Sequence, residues 1–443
     1  MEPLTINFKP YAMTDEISRG RREKEDILSA DFRSQFQHDR DRIIHSKAFR
    51  RLESKTQVVI SHESDHNRKR LTHSLEVMQM SDSIAYALGV NIFLTQAIAL
   101  GHDLGHAPYG HVGERTLREI LKDHDLPGFK HNYQSLLIVN KLATGYRDDA
   151  GLNLMYETRD GILHHTDLRD DIVLDYYDPE LDKKRKYPAT IEGQIVRIVD
   201  EIAQRSHDTD DGLRTHRVAL HELLMQPIIK SILPVNKLNE SDLIDLFKVD
   251  QTKAISKIVV AIIKAYVLDA VKMSCGNLKS MAIKKYDDVR KKDNLIVTLS
   301  PKFKKMDIDF RDNFLRPNFY GHYEIKRMDA RGNYFIRQLF KAFKKNPGQL
   351  PENDYERFIA AVNNDLRANK LRTERKCGLD GCVYEARKRY VSGEAKNKCP
   401  IQKKKGQACE GIRVIIDSLA GMTDRHANLE YSRLYLPPEI SRM

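Results

Sequence analysis

Apolar residues recur at helical spacing over most of the chain, and this periodicity constrains the fold more than any other feature. In LTHSLEVMQMSDSIAYAL (71–88), Leu71, Leu75, Met78 and Ala85 recur with that period. NIFLTQAIALGHDLG (91–105) reads as a second, shorter helix ending near Gly105. Pro108 belongs to the loop beyond it, because proline disfavours helical geometry in the residue before it. IEGQIVRIVDEIAQRSHD (191–208) reads as a third helix, with Ile191, Ile195, Ile198, Val199 and Ile202 on its buried side. Residues 216–275 and 330–345 also carry a helical pattern, whereas strand-like alternation is rare. NLIVTL (294–299) is the best strand candidate, as a short strand or a helix start. Loops are expected at 62–70, 169–188 and 344–353. The expected class is all-α. A segment over 1–60 precedes a helical catalytic core over 61–215, and a C-terminal helical region over 216–443 carries a Lys- and Cys-rich insertion at 376–409.

Composition narrows the function classes. A chain of 443 residues that is 41% hydrophobic can bury a large core. The formal net charge of +11 favours an anionic partner, such as a phosphorylated small molecule or nucleic acid. Part of it sits in the runs Lys183-Lys184-Arg185-Lys186 and Lys403-Lys404-Lys405, which read equally well as solvated loops. No apolar run is long enough for a membrane-spanning helix, and the N-terminus lacks the apolar stretch of a signal peptide, so a cytoplasmic location is expected. Cys377, Cys382, Cys399 and Cys409, spaced C-x4-C-x16-C-x9-C, could hold a structural zinc or be four unlinked thiols. Cys275 stands alone and reads as core.

The chemistry concentrates in ALGHDLGHAPYGH (99–111), where His102, Asp103, His106 and His111 fall within ten residues. Imidazole and carboxylate ligands suit a transition metal or magnesium, and His102-Asp103 at a helix end can reach one ion if other helices complete the shell. His73 in RLTHSLEV and Asp200 in RIVDEIAQ are candidates for those further ligands. Taken alone, His73 reads as an ordinary satisfied histidine, and Asp200 as a salt-bridge partner of Arg197 or Arg205. A carboxylate inside an apolar run does need a cation or a metal. Order and spacing join them: H, then HD about 30 residues on, then D on a later helix.

That order resembles the HD superfamily of metal-dependent phosphohydrolases. SRGR (18–21), DRDRIIHSKAFRRLESKTQVV (39–59), RLTHSLEV (70–77), HDLGHAPYGHVGE (102–114), FKHNYQSL (129–136), VDEIAQRSHDTDDG (199–212) and AGMTDR (420–425) resemble the dGTPase family of deoxynucleoside triphosphate triphosphohydrolases. The resemblance implies an HD-domain core in which His73, His102, Asp103 and Asp200 hold one divalent ion. Mn, Mg, Fe, Co, Ni and Zn all remain open. It also implies cleavage of a dNTP into a deoxynucleoside and inorganic triphosphate. His111, oriented by Glu114, would be the general acid, and His106 and His131 would contact the α-phosphate region. Gln57 and Asp208 match positions that touch deoxyribose, and Arg70 one that reaches phosphate. One position departs from the pattern: Gln204 stands where the family often has Tyr, which puts sugar discrimination in question. Control of dNTP pools or phage defence, a homo-oligomer (tetramer or hexamer) and a dNTP activator would follow. The competing readings are an HD phosphohydrolase acting on nucleoside monophosphates or nucleic acid ends, and a nucleotide-sensing or single-stranded nucleic-acid-binding protein.

Overall fold

The computed structural model describes residues 7–25, 31–57, 68–144, 151–182, 184–370 and 410–436. The four-cysteine cluster, Lys403–Lys405, Lys183 and residues 62–67 of the first expected loop lie outside these residues. Among the described residues the regular structure is helical, with isolated bridges at Arg21–Met155 and Thr56–Lys69 and no strand. The first nine helices are α1 (Gln35–His45), α2 (Lys47–Arg51), α3 (Arg70–Leu88), α4 (Ile92–Gly101), α5 (Gly110–Lys122), α6 (His131–Leu137), α7 (Tyr156–His164), α8 (Leu174–Tyr177) and α9 (Ile191–Arg214). There follow α10 (Leu220–Leu224), α11 (Pro227–Val235), α12 (Glu240–Val249), α13 (Gln251–Ser280), α14 (Tyr286–Arg290) and α15 (Pro301–Asp309). A wide helical segment, Phe310–Tyr320, leads to α16 (Tyr323–Lys345), α17 (Glu352–Lys370), α18 (Glu410–Gly421) and α19 (Asp424–Tyr435).

Helix α4 organises the core. It carries no charged residue and packs against α1, α3, α7 and α9, so it behaves as a central helix rather than an amphipathic surface one. Asn91 starts it: its Oδ1 accepts hydrogen bonds from the backbone N–H groups of Phe93 and Leu94. Leu94 and Ile98 are fully buried, each worth about 1.5–3 kcal/mol of apolar transfer. Its approach to α7 is unusually close. A Cβ on Gly161 would lie 2.3 Å from Ile98 Cδ1, and one on Gly101 would lie 2.6 Å from Ile162 Cδ1. Two glycines thus bring the C-terminal ends of α4 and α7 together, and both ends carry histidines.

Helix α9 begins at Thr190, whose Oγ1 accepts from Gly193 N–H, and runs past the expected end at 208 to Arg214. It packs against α3, α4, α7 and α13. Helix α4 stops at Gly101, four residues before the expected end, because residues 102–105 form a turn. Residues 216–275 are helical but broken into α10 to α13. The strand expected at 294–299 is absent. The segment is irregular, and its backbone groups find side chains instead of a partner strand. Ile296 and Val297 N–H donate to Gln194 Oε1, and Asn277 Nδ2 donates to the Ile296 carbonyl. Cys275 is half-buried against the main apolar cluster.

Candidate active site

Three helices deliver the four metal-donor candidates. Helix α3 supplies His73, the turn after α4 supplies His102 and Asp103, and α9 supplies Asp200. His73 Nε2 lies 3.1 Å from Asp200 Oδ1 and 3.8 Å from Asp103 Oδ2. His102 Nε2 lies 3.4 Å from Asp103 Oδ1 and 3.7 Å from Asp200 Oδ1. Donors about 2.1 Å from one ion stand at about these separations. Asp200 does not pair with Arg197 or Arg205, which engage Asp167 and Asp307.

The protonation pattern also fits a cation. His102 Nδ1 donates to the Ala99 carbonyl at 2.6 Å, leaving a buried Nε2 lone pair without a protein partner. Glu76 holds His207 Nε2–H, so His207 Nδ1 accepts from His73 Nδ1–H at 3.2 Å. The His73 Nε2 lone pair therefore faces a carboxylate oxygen, which is repulsive unless a cation lies between them. Such outer hydrogen bonds are how metal-binding imidazoles are held in the right tautomer. Burial alone would raise the Asp103 carboxyl, but His102, His106 and Arg70 hold it well below the usual range.

A row of polar residues leads away from these donors. Asp103 accepts from Arg70 Nη1 at 2.8 Å and lies 2.9 Å from His106 Nε2. The His106 ring stacks on His131 with centroids 3.9 Å apart. Burial, Arg70 and His131 push the His106 pKa well down. Glu114 does not orient His111. Its carboxylate accepts from His131 N–H at 3.1 Å, His131 Nδ1 at 2.7 Å and Arg118 Nη2 at 2.6 Å. The three-residue spacing of His111 and Glu114 is right for one helical turn, but the first turn of α6 offers the carboxylate two N–H donors at once. His111 instead opens onto a neighbouring cavity. Its pKa is lowered by the surrounding protein first and the Arg70 charge second.

That cavity, about 600 Å³, is lined by Gln57, His111, Arg115, Tyr320, Lys326 and Asn333, among others. This is the size range of small-molecule sites, about 300–1,000 Å³. Gln57 offers it a buried Oε1 with no protein partner among the described residues. Arg70 is buried in its pairing with Asp103 rather than in the cavity lining. Asp208 meets the cavity through Tyr320, whose hydroxyl lies 2.9 and 2.8 Å from its two oxygens. Burial raises the Asp208 carboxyl to about 7, against the opposing effect of that hydrogen bond. Gln204 Nε2 donates to the same Tyr320 oxygen at 3.3 Å, so a tyrosine from the segment before α16 stands beside the departing position.

The C-terminal region holds the loop between α4 and α5 in place. Asp424 of AGMTDR accepts from Thr56 N–H at 3.0 Å and Tyr109 N–H at 2.9 Å. Tyr109 needs that support, since it has a positive φ of 62°, unusual for a residue with a side chain. The buried Lys55 Nζ donates to the carbonyls of His106 and Ala420, and burial pushes its pKa down to about 7. Sequence reasoning missed His165, His207, Glu76, Lys55 and Tyr320. Only the doublet in GILHHTDL and the His-Asp in SHDTDD hinted at two of them.

An all-helical chain with this donor set defines the class: it is an HD-domain hydrolase. The family profile described as HD domain matches residues 70–205, and that of the phosphohydrolase-associated domain matches 297–372. The chain belongs to the deoxyguanosinetriphosphate triphosphohydrolase-like family. It is 36% identical over 434 residues to the protein so named from Nitrosomonas europaea, covering 98% of this chain and 99% of that one. It is 35% identical over 441 residues to the relative from Thiobacillus denitrificans, covering 99% and 100%. Likewise it is 34% identical over 458 residues to the one from Azoarcus sp., covering 98% of each.

Proposed function

We propose that the chain hydrolyses deoxynucleoside triphosphates to a deoxynucleoside and inorganic triphosphate. The observation that carries this reading is the convergence of His73, His102, Asp103 and Asp200 beside a histidine row and a nucleotide-sized cavity. When bound there, a divalent ion supplies Lewis acidity towards a phosphate oxygen and lowers the pKa of water. Arg70 fixes the Asp103 carboxylate, and His106 and His131 face the α-phosphate region. Water adds at the α-phosphorus as its bond to the 5′ oxygen breaks, and that oxygen takes up a proton. His111, open to the cavity, is the proton donor through its imidazolium form, which its lowered pKa makes the minor one at neutral pH, and the proton that the attacking water gives up restores it. Glu114 holds His131, which stacks on His106. Arg115 and Lys326 offer positive charge to the polyphosphate, and Gln57 and Asp208 with Tyr320 define the sugar end.

The family resemblance further supports a cytoplasmic homo-oligomer that responds to a dNTP activator and controls dNTP pools or limits phage. The test is to incubate the protein with each dNTP, singly and mixed, with Mn²⁺ or Mg²⁺, and to resolve the products. Triphosphate and deoxynucleoside in equal amounts are expected. Pyrophosphate, orthophosphate alone, or turnover confined to monophosphates or nucleic acid ends would replace this reading with another HD chemistry.

A further inference from the structure

His164 is the last residue of α7, and Asp160 lies one helical turn before it; both side chains are fully buried. We infer that this pair is a pH-sensitive latch: it fastens residues 185–189 to α7 while His164 carries two ring protons, and releases that segment when one is lost.

The segment is held at both ends. His164 Nε2 lies 3.1 Å from the Arg185 carbonyl, and Asp160 Oδ2 accepts from Ala189 N–H at 2.7 Å. His164 Nδ1 lies 3.0 Å from the Asp160 carbonyl and 3.1 Å from Asp160 Oδ1. Carbonyl and carboxylate oxygens can only accept, so both ring nitrogens carry hydrogen and the ring is an imidazolium. A neutral ring keeps only one N–H. Nδ1 holds it, because two Asp160 oxygens lie there. Nε2 then turns a lone pair towards the Arg185 carbonyl, and that contact becomes repulsive. The buried Asp160 carboxylate also loses its cation, which is costly until water reaches it.

Burial alone would lower the His164 pKa, yet Asp160 outweighs it and the net shift is upward. Asp160 is held below its ordinary value against its own burial, mainly by His164. The other charged or titratable groups around the pair are Glu157 on α7, Arg197 on α9, Asp182 and Arg185 in the loop, Arg19 near the N-terminus, and Tyr286 and Arg290 of α14. Helix α4 carries no charge, and His131 of α6 faces His165. The closed form binds the proton more tightly than the open one. Closure is therefore favoured at low pH and lost as pH rises through the raised value. Tyr187 moves with the segment. Its ring lies 5.4 Å from the Arg197 guanidinium, and it lines a cavity of about 190 Å³ with Arg197, Glu201 and Arg311. Release opens that cavity on the Tyr187 side.

The chain has no tryptophan, so Tyr187→Trp places a single reporter in the segment. Acrylamide quenching of its fluorescence is read in full-length protein from about pH 5 to about pH 10, with circular dichroism at each step. Quenching is expected to be weak at low pH and to rise severalfold through one titration, with a midpoint above the ordinary histidine value of about 6.5. His164→Gln in the same background offers the Arg185 carbonyl an amide N–H that does not titrate, and the midpoint is expected to disappear. A flat profile in the folded reporter protein overturns the latch, as does the same midpoint in folded His164→Gln. If either variant does not fold, hydrogen exchange of the wild type decides. With intrinsic rates factored out, residues 185–190 should lose protection over the same pH range, and constant protection rejects the proposal.

Discussion

The donors gathered from α3, α4 and α9 and the residues around the cavity beside α16 differ in how fully their polar atoms are constrained. His73 is oriented by His207 and Glu76, His102 by a backbone carbonyl, and Asp103 by Arg70 and His106. Apart from the partly exposed Glu76, these groups are almost wholly buried. On the cavity side, among the described residues, Arg115 pairs with Asp329 at 3.9 Å with both side chains partly exposed, and the Gln57 oxygen has no protein hydrogen bond. The buried wall is fixed before any ligand arrives, whereas the cavity wall keeps its polar atoms for a ligand. Preorganised groups serve chemistry because no reorganisation is needed when the reaction occurs. Loosely held ones serve binding.

That contrast breaks most decisively at the donors. Asp200→Asn keeps the shape of the side chain but removes its charge, and triphosphohydrolase activity is expected to fall below about one hundredth, because outer partners alone are worth about 10–100-fold. Metal content should fall with it while the thermal midpoint changes little; full metal loading with lost activity would move Asp200 out of the donor set. His207→Ala comes next. It leaves every donor in place but frees the His73 tautomer, so metal affinity is expected to weaken about 10–100-fold. Titration of metal into stripped variant protein reads this, and unchanged affinity would mean that the Glu76–His207–His73 chain has no hold on the ion.

A third effect lies at the border of the two walls. Asp208 has its carboxyl raised from 3.8 to about 7, first by burial. The folded state keeps that proton over a range where the unfolded chain has lost it. Stability is therefore expected to decline as pH rises from about 4 to about 7, and to level off above. Asp208→Asn removes this contribution, so denaturant midpoints at about pH 8 should be closer to those at about pH 4 than in wild type. Parallel pH dependences in the two proteins would contradict a protonated Asp208. The smallest effect belongs to the open wall. Arg115→Ala should raise KM about two- to five-fold with kcat retained, on the scale of an exposed ion pair, and added salt should shrink the difference. A large fall in kcat would instead place Arg115 among the constrained groups.

Much of this was readable in the chain. The spacing of apolar residues predicted α3, α4 and α9, and H…HD…D picked out His73, His102, Asp103 and Asp200 before their geometry was known. Local pattern works there because helices present side chains at fixed intervals. It failed where a partner comes from far along the chain. The family resemblance pairs Glu114 with His111, and their spacing allows it, yet His131, 17 residues away, offers two donors. NLIVTL is rich in β-branched residues and reads as a strand candidate, but without a second strand its backbone is satisfied by Gln194 and Asn277. Tyr320 reaches Asp208 from 112 residues away, beyond any periodicity.

The sequence by itself determined the helical class, the family and the identities of the metal-donor candidates, because each is encoded in short-range periodicity or in motif order. Tertiary structure alone decided which histidine faces which. Two glycines set the distance between α4 and α7, and that distance brings His165 to His102. Asp424 and Lys55 tie the C-terminal helices to the loop between α4 and α5 across more than 300 residues. Hydrogen bonds and lone-pair directions depend on tenths of an ångström between distant segments, and only the packed core sets distances that finely.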